Sequence, residues 1–216
     1  MSRLTAELLR LYPPAAAGST QVLCLEVAAP ADWSALGTVW RGVQTELSLP
    51  APAIAVSGTD GLQLWFSLQA PVHVGRAADF LAGLQARYLP DLAPARVRVQ
   101  VDGDAPRIPA QDLATGNWSA FVAPDLAPVF ADTPWLDIEP GADGQADLLA
   151  RLLPMSSAAF DAAWQALQPA AAPAPPASPA DRRSLDPRAF LQRVLDDESA
   201  PLALRVEAAK ALLVAR

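Results

Sequence analysis

The stretch Ala53-Ile54-Ala55-Val56-Ser57-Gly58-Thr59-Asp60-Gly61-Leu62-Gln63-Leu64-Trp65-Phe66-Ser67-Leu68 decides the fold. Two apolar runs flank a turn built from Gly, Thr and Asp, the pattern of a β-hairpin. In its second arm Leu62, Leu64, Phe66 and Leu68 alternate with Gln63, Trp65 and Ser67, so one sheet face is apolar and the other mixed. Upstream, Gln21 to Val27 reads as a strand. Asp32 then caps a helix that sets Leu36, Val39, Trp40, Val43 and Leu47 at helical spacing, with Pro50 and Pro52 closing it. Downstream, a helix over Arg76 to Leu89 points Phe80, Leu81, Leu84 and Tyr88 inward. Arg96 to Val101 follows as a half-buried strand before the turn Asp102-Gly103-Asp104. The order strand, helix, strand, strand, helix, strand predicts an α+β fold with a ferredoxin-like or RRM-like βαββαβ core.

Further elements flank this core. Ser2 caps a short helix with Leu4, Leu8 and Leu11 on one face, ended by Tyr12-Pro13-Pro14. Trp118 to Val122 reads as another strand. Two helices follow, Gln145 to Leu153 and one capped at Ser156 or Ser157 with Phe160, Trp164 and Leu167 inward. The body therefore spans 1–168. Residues 169–180 hold five prolines and six alanines, a composition that buries no core and predicts an extended linker. The segment 181–216 predicts a two-helix tail. Asp186 caps its first helix, Pro187 takes the first position, and Leu185 with Phe190 has hydrophobic-staple spacing. Pro201 opens the second, with Leu202, Val206, Ala209 and Leu213 in line. Short helices rarely persist alone in water. The tail is expected to dock on its own body, on another copy or on a protein partner.

Of the 216 residues 52% are hydrophobic and 18% charged, enough apolar material for a sizeable core. The formal charge is −7 and unevenly spread: residues 1–168 carry 9 Arg against 17 acids (−8), and 169–216 carry 7 basic residues against 6 acids (+1). A body at −8 repels a phosphate backbone at long range and argues against non-specific nucleic-acid binding. Cys24 is the only cysteine, which excludes an intramolecular disulfide and fits a reducing compartment. Met1 to Leu11 lacks the charged-then-apolar pattern of a signal peptide. Nothing approaches the roughly 18 apolar residues of a membrane helix. A cytoplasmic protein without membrane contact is expected.

The inventory for catalysis is poor. His73 is the only histidine and lies in Pro71-Val72-His73-Val74-Gly75 without a neighbouring cysteine, so a structural or solvated role is expected rather than metal ligation. Cys24, inside a strand, reads as an inert buried thiol. Ser57 to Gly61 has the glycines of an anion cradle. Its flanking strands and the missing Walker lysine favour a plain hairpin turn. The acids Asp137, Glu139, Asp143 and Asp147 read as a solvated loop. No catalytic or metal residue and no cofactor is expected.

Alternation gives the more specific clue. With Leu23, Leu25 and Val27 on the core side of the first strand, and Val97, Val99 and Val101 on that side of the last, the opposite face gathers Glu26, Gln63, Trp65, Arg96 and Arg98. An aromatic among arginines on an open four-stranded sheet is how RRM-type domains hold single-stranded bases. A structural reading is favoured over it: Glu26 pairs with Arg98 across strands, and helices after Gly141 cover the face and bury Trp65.

The segment Ala53 to Phe66 also resembles the "SG–x–x–G–hydrophobic–His–hydrophobic–Trp" stretch of archaeo-eukaryotic primase-polymerases, with Leu23-Cys24-Leu25-Glu26-Val27 where that family carries its first metal-binding acids. Trp135-Leu136-Asp137 stands for its later hydrophobic-Asp motif. The resemblance implies an RRM-like sheet. In this sequence the acid pair is reduced to Glu26, and Gln63 replaces the histidine, which implies a catalytically dead relative that retains binding. The tail, Asp186 to Leu191 and Leu204 to Leu213, resembles a helical segment of phage-type DNA-packaging proteins. The sequence thus predicts a non-enzymatic binding or adaptor protein with a tethered helical tail. Single-stranded nucleic-acid binding by the sheet face is the alternative.

Overall fold

A computed structural model describes residues 1–101 and 107–168 and, of the remainder, 191–192, 194–195, 197 and 201–214. The chain divides into two compact units, Met1–Gln168 and Pro169–Arg216. The expected turn at Asp102 to Asp104, the linker 169–180 and the start of the first tail helix lie outside the described residues.

The first unit is α+β. Its elements run α1 (Arg3–Leu11), β1 (Ser19–Ala28), α2 (Trp33–Thr45), β2 (Ala53–Val56), β3 (Gly61–His73), α3 (Val74–Tyr88), β4 (Val97–Gln100), β5 (Ala120–Val122), α4 (Ala142–Ala150) and α5 (Ser157–Leu167). The strands form one five-stranded antiparallel sheet in the order β4-β1-β3-β2-β5. Side-chain caps start the helices where the sequence places them. Ser2 accepts from the Thr5 amide at 3.1 Å, Asp32 from Ala35 at 3.0 Å and Ser156 from Ala159 at 3.2 Å. His73 acts as such a cap too, its Nδ1 accepting from the Gly75 amide at 3.1 Å.

The apolar alternation of β1 and β3 fills the larger core. Leu23, Leu25, Val27, Leu62, Leu64 and Phe66 pack there against α2, α3 and α5. Helix α5 is fastened to α3 by Arg76, which lies 4.6 Å above the Trp164 ring and pairs with Asp161 at 2.9 Å. On the opposite face a second cluster joins Val22, Cys24, Ala55 and Trp65 to Leu4, Leu11, Tyr12, Ala146 and Leu149. The structural reading holds there: α4, following Gly141, covers the middle of the sheet together with α1 and buries Trp65, making three layers. Cys24, 3% exposed, is buried as expected. The second face is open towards the β2–β3 turn.

In the second unit a helix, α6 (Leu202–Val214), starts directly after Pro201, the expected opening. Arg205 Nε donates to the Leu195 carbonyl at 3.1 Å, and Lys210 pairs with Glu207 at 3.0 Å. Leu204 and Val206 are exposed, at 57% and 44%. Among the described residues no helix is long and apolar enough to cross a membrane.

Candidate functional site

Four of the five expected site residues come together at the uncovered end of the second face. Register places them: Glu26 lies opposite Gln63 of β3 on one side and opposite Arg98 of β4 on the other, and Cys24 lies opposite Trp65. A linear relay results. The Trp65 indole N–H donates to Gln63 Oε1 at 2.8 Å, and Gln63 Nε2 donates to Glu26 Oε2 at 2.9 Å. Arg98 Nη1 then donates to Glu26 Oε1 at 2.9 Å. Arg98 also grips Asp60 of the β2–β3 turn through both terminal nitrogens, at 2.9 and 3.0 Å. The cross-strand pairing of Glu26 with Arg98 is the one expected from alternation. These arginine bonds hold the Asp60 carboxyl below the usual aspartate range.

The fifth residue, Arg96, plays another part, and Trp65 joins the relay from a buried position. Arg96 precedes β4, in a single 3-10 turn opened by Pro94, and its guanidinium turns back to the Pro30 carbonyl at 2.7 Å. It ties the β1–α2 connection to β4 and does not join the relay. Trp65 is 5% exposed. Tyr12 meets it edge-on with ring centroids 6.1 Å apart, and the Tyr12 hydroxyl donates to the Trp65 carbonyl at 3.4 Å. Burial, with the neighbouring Cys24, drives the Tyr12 phenol far above its ordinary pKa. Trp65 has no free face on which a base can stack.

The Gly-rich turn is a hairpin turn rather than an anion cradle. Ser57 Oγ accepts from the Thr59 and Gly61 amides at 3.1 and 2.9 Å, and the Gly58 amide donates to the Pro134 carbonyl at 3.0 Å. Gly58 has φ of 83° and sits so near Ser119 that an added Cβ would be 2.9 Å from its backbone nitrogen. Gly61 is needed for closeness instead: a Cβ there would be 2.9 Å from both Cγ and Cδ of Glu26.

Beside the relay lies a cavity of about 430 Å³. Gln63 and the edge of Trp65 line one side with Ser57, Thr59 and Gln100, and Arg107, Ile108, Ala110, Gln111, Asp112 and Ser119 line the other. The far wall is a small hairpin. Gln111 bridges Trp118, Gln111 Nε2 donates to the Gly116 carbonyl at 2.9 Å, and Asp112 Oδ1 accepts from the Ala114 and Thr115 amides at 2.7 and 3.2 Å. Ser119, 5% exposed, donates to the Ala110 carbonyl at 3.2 Å and accepts from its amide at 2.9 Å.

Sequence reasoning missed Asp60 and this far wall. For Asp60 a signal exists, since an acid at a hairpin turn comes beside a neighbouring strand's arginine once the register is fixed. The 107–119 wall has no periodic pattern to reveal it. Asp137, of the stretch that resembles the hydrophobic-Asp motif, is exposed just past the Leu136–Trp118 bridge. Among the described residues no group of three or more His, Cys, Asp or Glu is placed to hold a metal ion. Comparison with protein-family models and with curated proteins finds no match to this chain.

Proposed function

We propose that this chain is a non-enzymatic binding protein, with a ferredoxin-like body that holds a small polar ligand in the cavity beside Gln63 and a 181–216 segment that engages a protein partner or a second copy. The order β4-β1-β3-β2, with α2 and α3 on one face, supports the ferredoxin-like reading; β5 and the α1/α4 layer are additions to it. The functional reading rests on one observation. The carboxylate at the centre of the site is closed on both oxygens, by Gln63 and Arg98, directly beside an open polar cavity. Metal-assisted phosphoryl transfer needs carboxylate oxygens free for cations. Acid–base chemistry needs a titratable group where this site has the Gln63 amide.

A thermal-shift screen of metabolites on the full chain tests the proposal. A compound should raise the midpoint saturably and be recovered chemically unchanged after incubation. Turnover of the bound compound would refute the non-enzymatic reading. A chain lacking 169–216 should keep that ligand and lose self-association or partner capture, and unchanged assembly would remove the tail's role.

Single-stranded nucleic acid on the same face is the second reading, supported by Arg98 on that face and Arg107 on the cavity wall. It lacks a stacking platform, since Trp65 lies beneath Tyr12. Fluorescence anisotropy of labelled single strands at low and moderate salt decides it. Salt-sensitive binding lost in Arg98→Ala and Arg107→Ala supports it, and no binding at low salt, where such contacts are strongest, removes it.

A further inference from the structure

The cavity's chemistry narrows its ligand, provided that the cavity is a binding site as proposed above. Its walls carry three hydroxyls, from Ser57, Thr59 and Ser119, and three carboxamides, from Gln63, Gln100 and Gln111. None of these groups carries charge; Ser57 and Ser119 are largely taken up within the protein, but the carboxamides of Gln63 and Gln111 each keep a second N–H and an acceptor lone pair for a ligand. The two charged residues on the wall, Arg107 and Asp112, are of opposite sign. Asp112 is already turned to its own loop by the Ala114 and Thr115 amides.

For an anionic ligand the described wall offers Arg107 as its one basic side chain. Backbone amides that could cradle a phosphate are spent, those of Thr59 and Gly61 on Ser57 Oγ and that of Gly58 on the Pro134 carbonyl. On the adjoining sheet surface two carboxylates, Glu26 and Asp60, share the one Arg98 guanidinium. That triad sums to one negative charge, which repels an incoming anion. A metal-bridged phosphate fares no better, because both Glu26 oxygens are bonded.

Trp65 and Ile108 add an apolar edge to this polar rim, 5% and 6% exposed. A volume of about 430 Å³ lies within the range of small-molecule sites. We infer that the cavity takes an uncharged, ring-bearing ligand edged with hydroxyl or amide groups, and discriminates against its phosphorylated form. Nucleosides and free sugars share this chemistry.

Calorimetric titration of the full chain tests the inference with four probe sets: the common nucleosides, neutral monosaccharides, nucleoside 5′-triphosphates with and without Mg²⁺, and sugar phosphates. Saturable binding of a nucleoside or a sugar, unchanged by moderate salt and at least about tenfold tighter than its phosphorylated form, supports it, and the responding set identifies the source. Gln63→Ala should weaken that probe about tenfold, the loss of one well-placed hydrogen bond. Because Gln63 also holds Glu26 and Trp65, Gln111→Ala on the exposed hairpin is the second variant. It should weaken binding severalfold while leaving the thermal midpoint in place. A phosphorylated probe that binds as tightly or tighter overturns the inference and leaves the binding reading standing. Binding indifferent to both variants overturns it by moving the site elsewhere. Silence from all four probe sets overturns both.

Discussion

Glu26 is only 12% exposed in its side chain, yet it carries a charge. A carboxylate in that position is tolerated because each oxygen has a charged or polar donor. The space it occupies exists because residue 61 has no side chain. In Gly61→Ala the new Cβ would overlap the Glu26 carboxyl, with backbone on both sides and the cross-strand register fixed. The substitution should cost about 1–3 kcal/mol, read from urea unfolding; a change below about 0.5 kcal/mol would mean that Glu26 swings away freely. Asp60 gives a pH signature at the same scale. Its hydrogen bonds with Arg98 place its folded pKa below the usual 3.8. The unfolded chain therefore binds the proton first, and the stabilisation is complete above that usual value and lost as pH falls through the folded one. The urea midpoint of the native protein should fall more steeply below about pH 4 than that of Arg98→Met. Parallel acid limbs for the two proteins would show that the pair contributes nothing. Both groups are partly exposed, so the difference will be modest.

At the scale of elements, the sheet ends differently at its two edges. Gln145 of α4, 6% exposed, accepts from the Phe121 amide at 2.7 Å and donates to the Phe121 carbonyl at 2.9 Å. One side chain thus satisfies both outward-facing backbone groups of the central β5 residue, as a neighbouring strand would. Gln145→Met keeps length and volume and leaves two buried backbone groups unpaired. It should lower stability by roughly 2–4 kcal/mol and speed hydrogen exchange at the Phe121 amide. Unaltered exchange there would mean that water or another group replaces the glutamine. Helix α4 also shows why part of the site was illegible in sequence. Alternation in β1 and β3 placed Glu26, Gln63 and Trp65 on one face, and register alone then paired Glu26 with Arg98. Alternation says which face a residue takes and nothing of what lies over it. Trp65 is covered by Tyr12, separated from it by 53 positions, and the cluster around it draws on Leu4 and Leu149 from opposite ends of the body. Arg96 was misplaced for a local reason: Pro94 tightens the chain into one 3-10 turn, so the strand starts at Val97 and the alternating pattern does not extend back to Arg96.

For the whole molecule, the question is where the free energy of folding is held. Both hydrophobic clusters are drawn from residues 4–167, and all five strands of the sheet lie between Ser19 and Val122. The surface removed from water in those clusters is the dominant favourable term for a body of this size. None of the described residues of 169–216 belongs to either cluster. A chain ending at Gln168 should therefore unfold in one cooperative transition, with its stability within about 1 kcal/mol of the full-length protein. Its formal charge would shift from −7 to −8, because the removed segment carries +1. Calorimetry of the two chains side by side makes the measurement. A broad transition, or a loss well beyond 1 kcal/mol, would show that the body depends on its C-terminal segment. A matching transition would locate the segment's contribution in what it engages rather than in the fold, and would license the deletion as a clean test of partner capture.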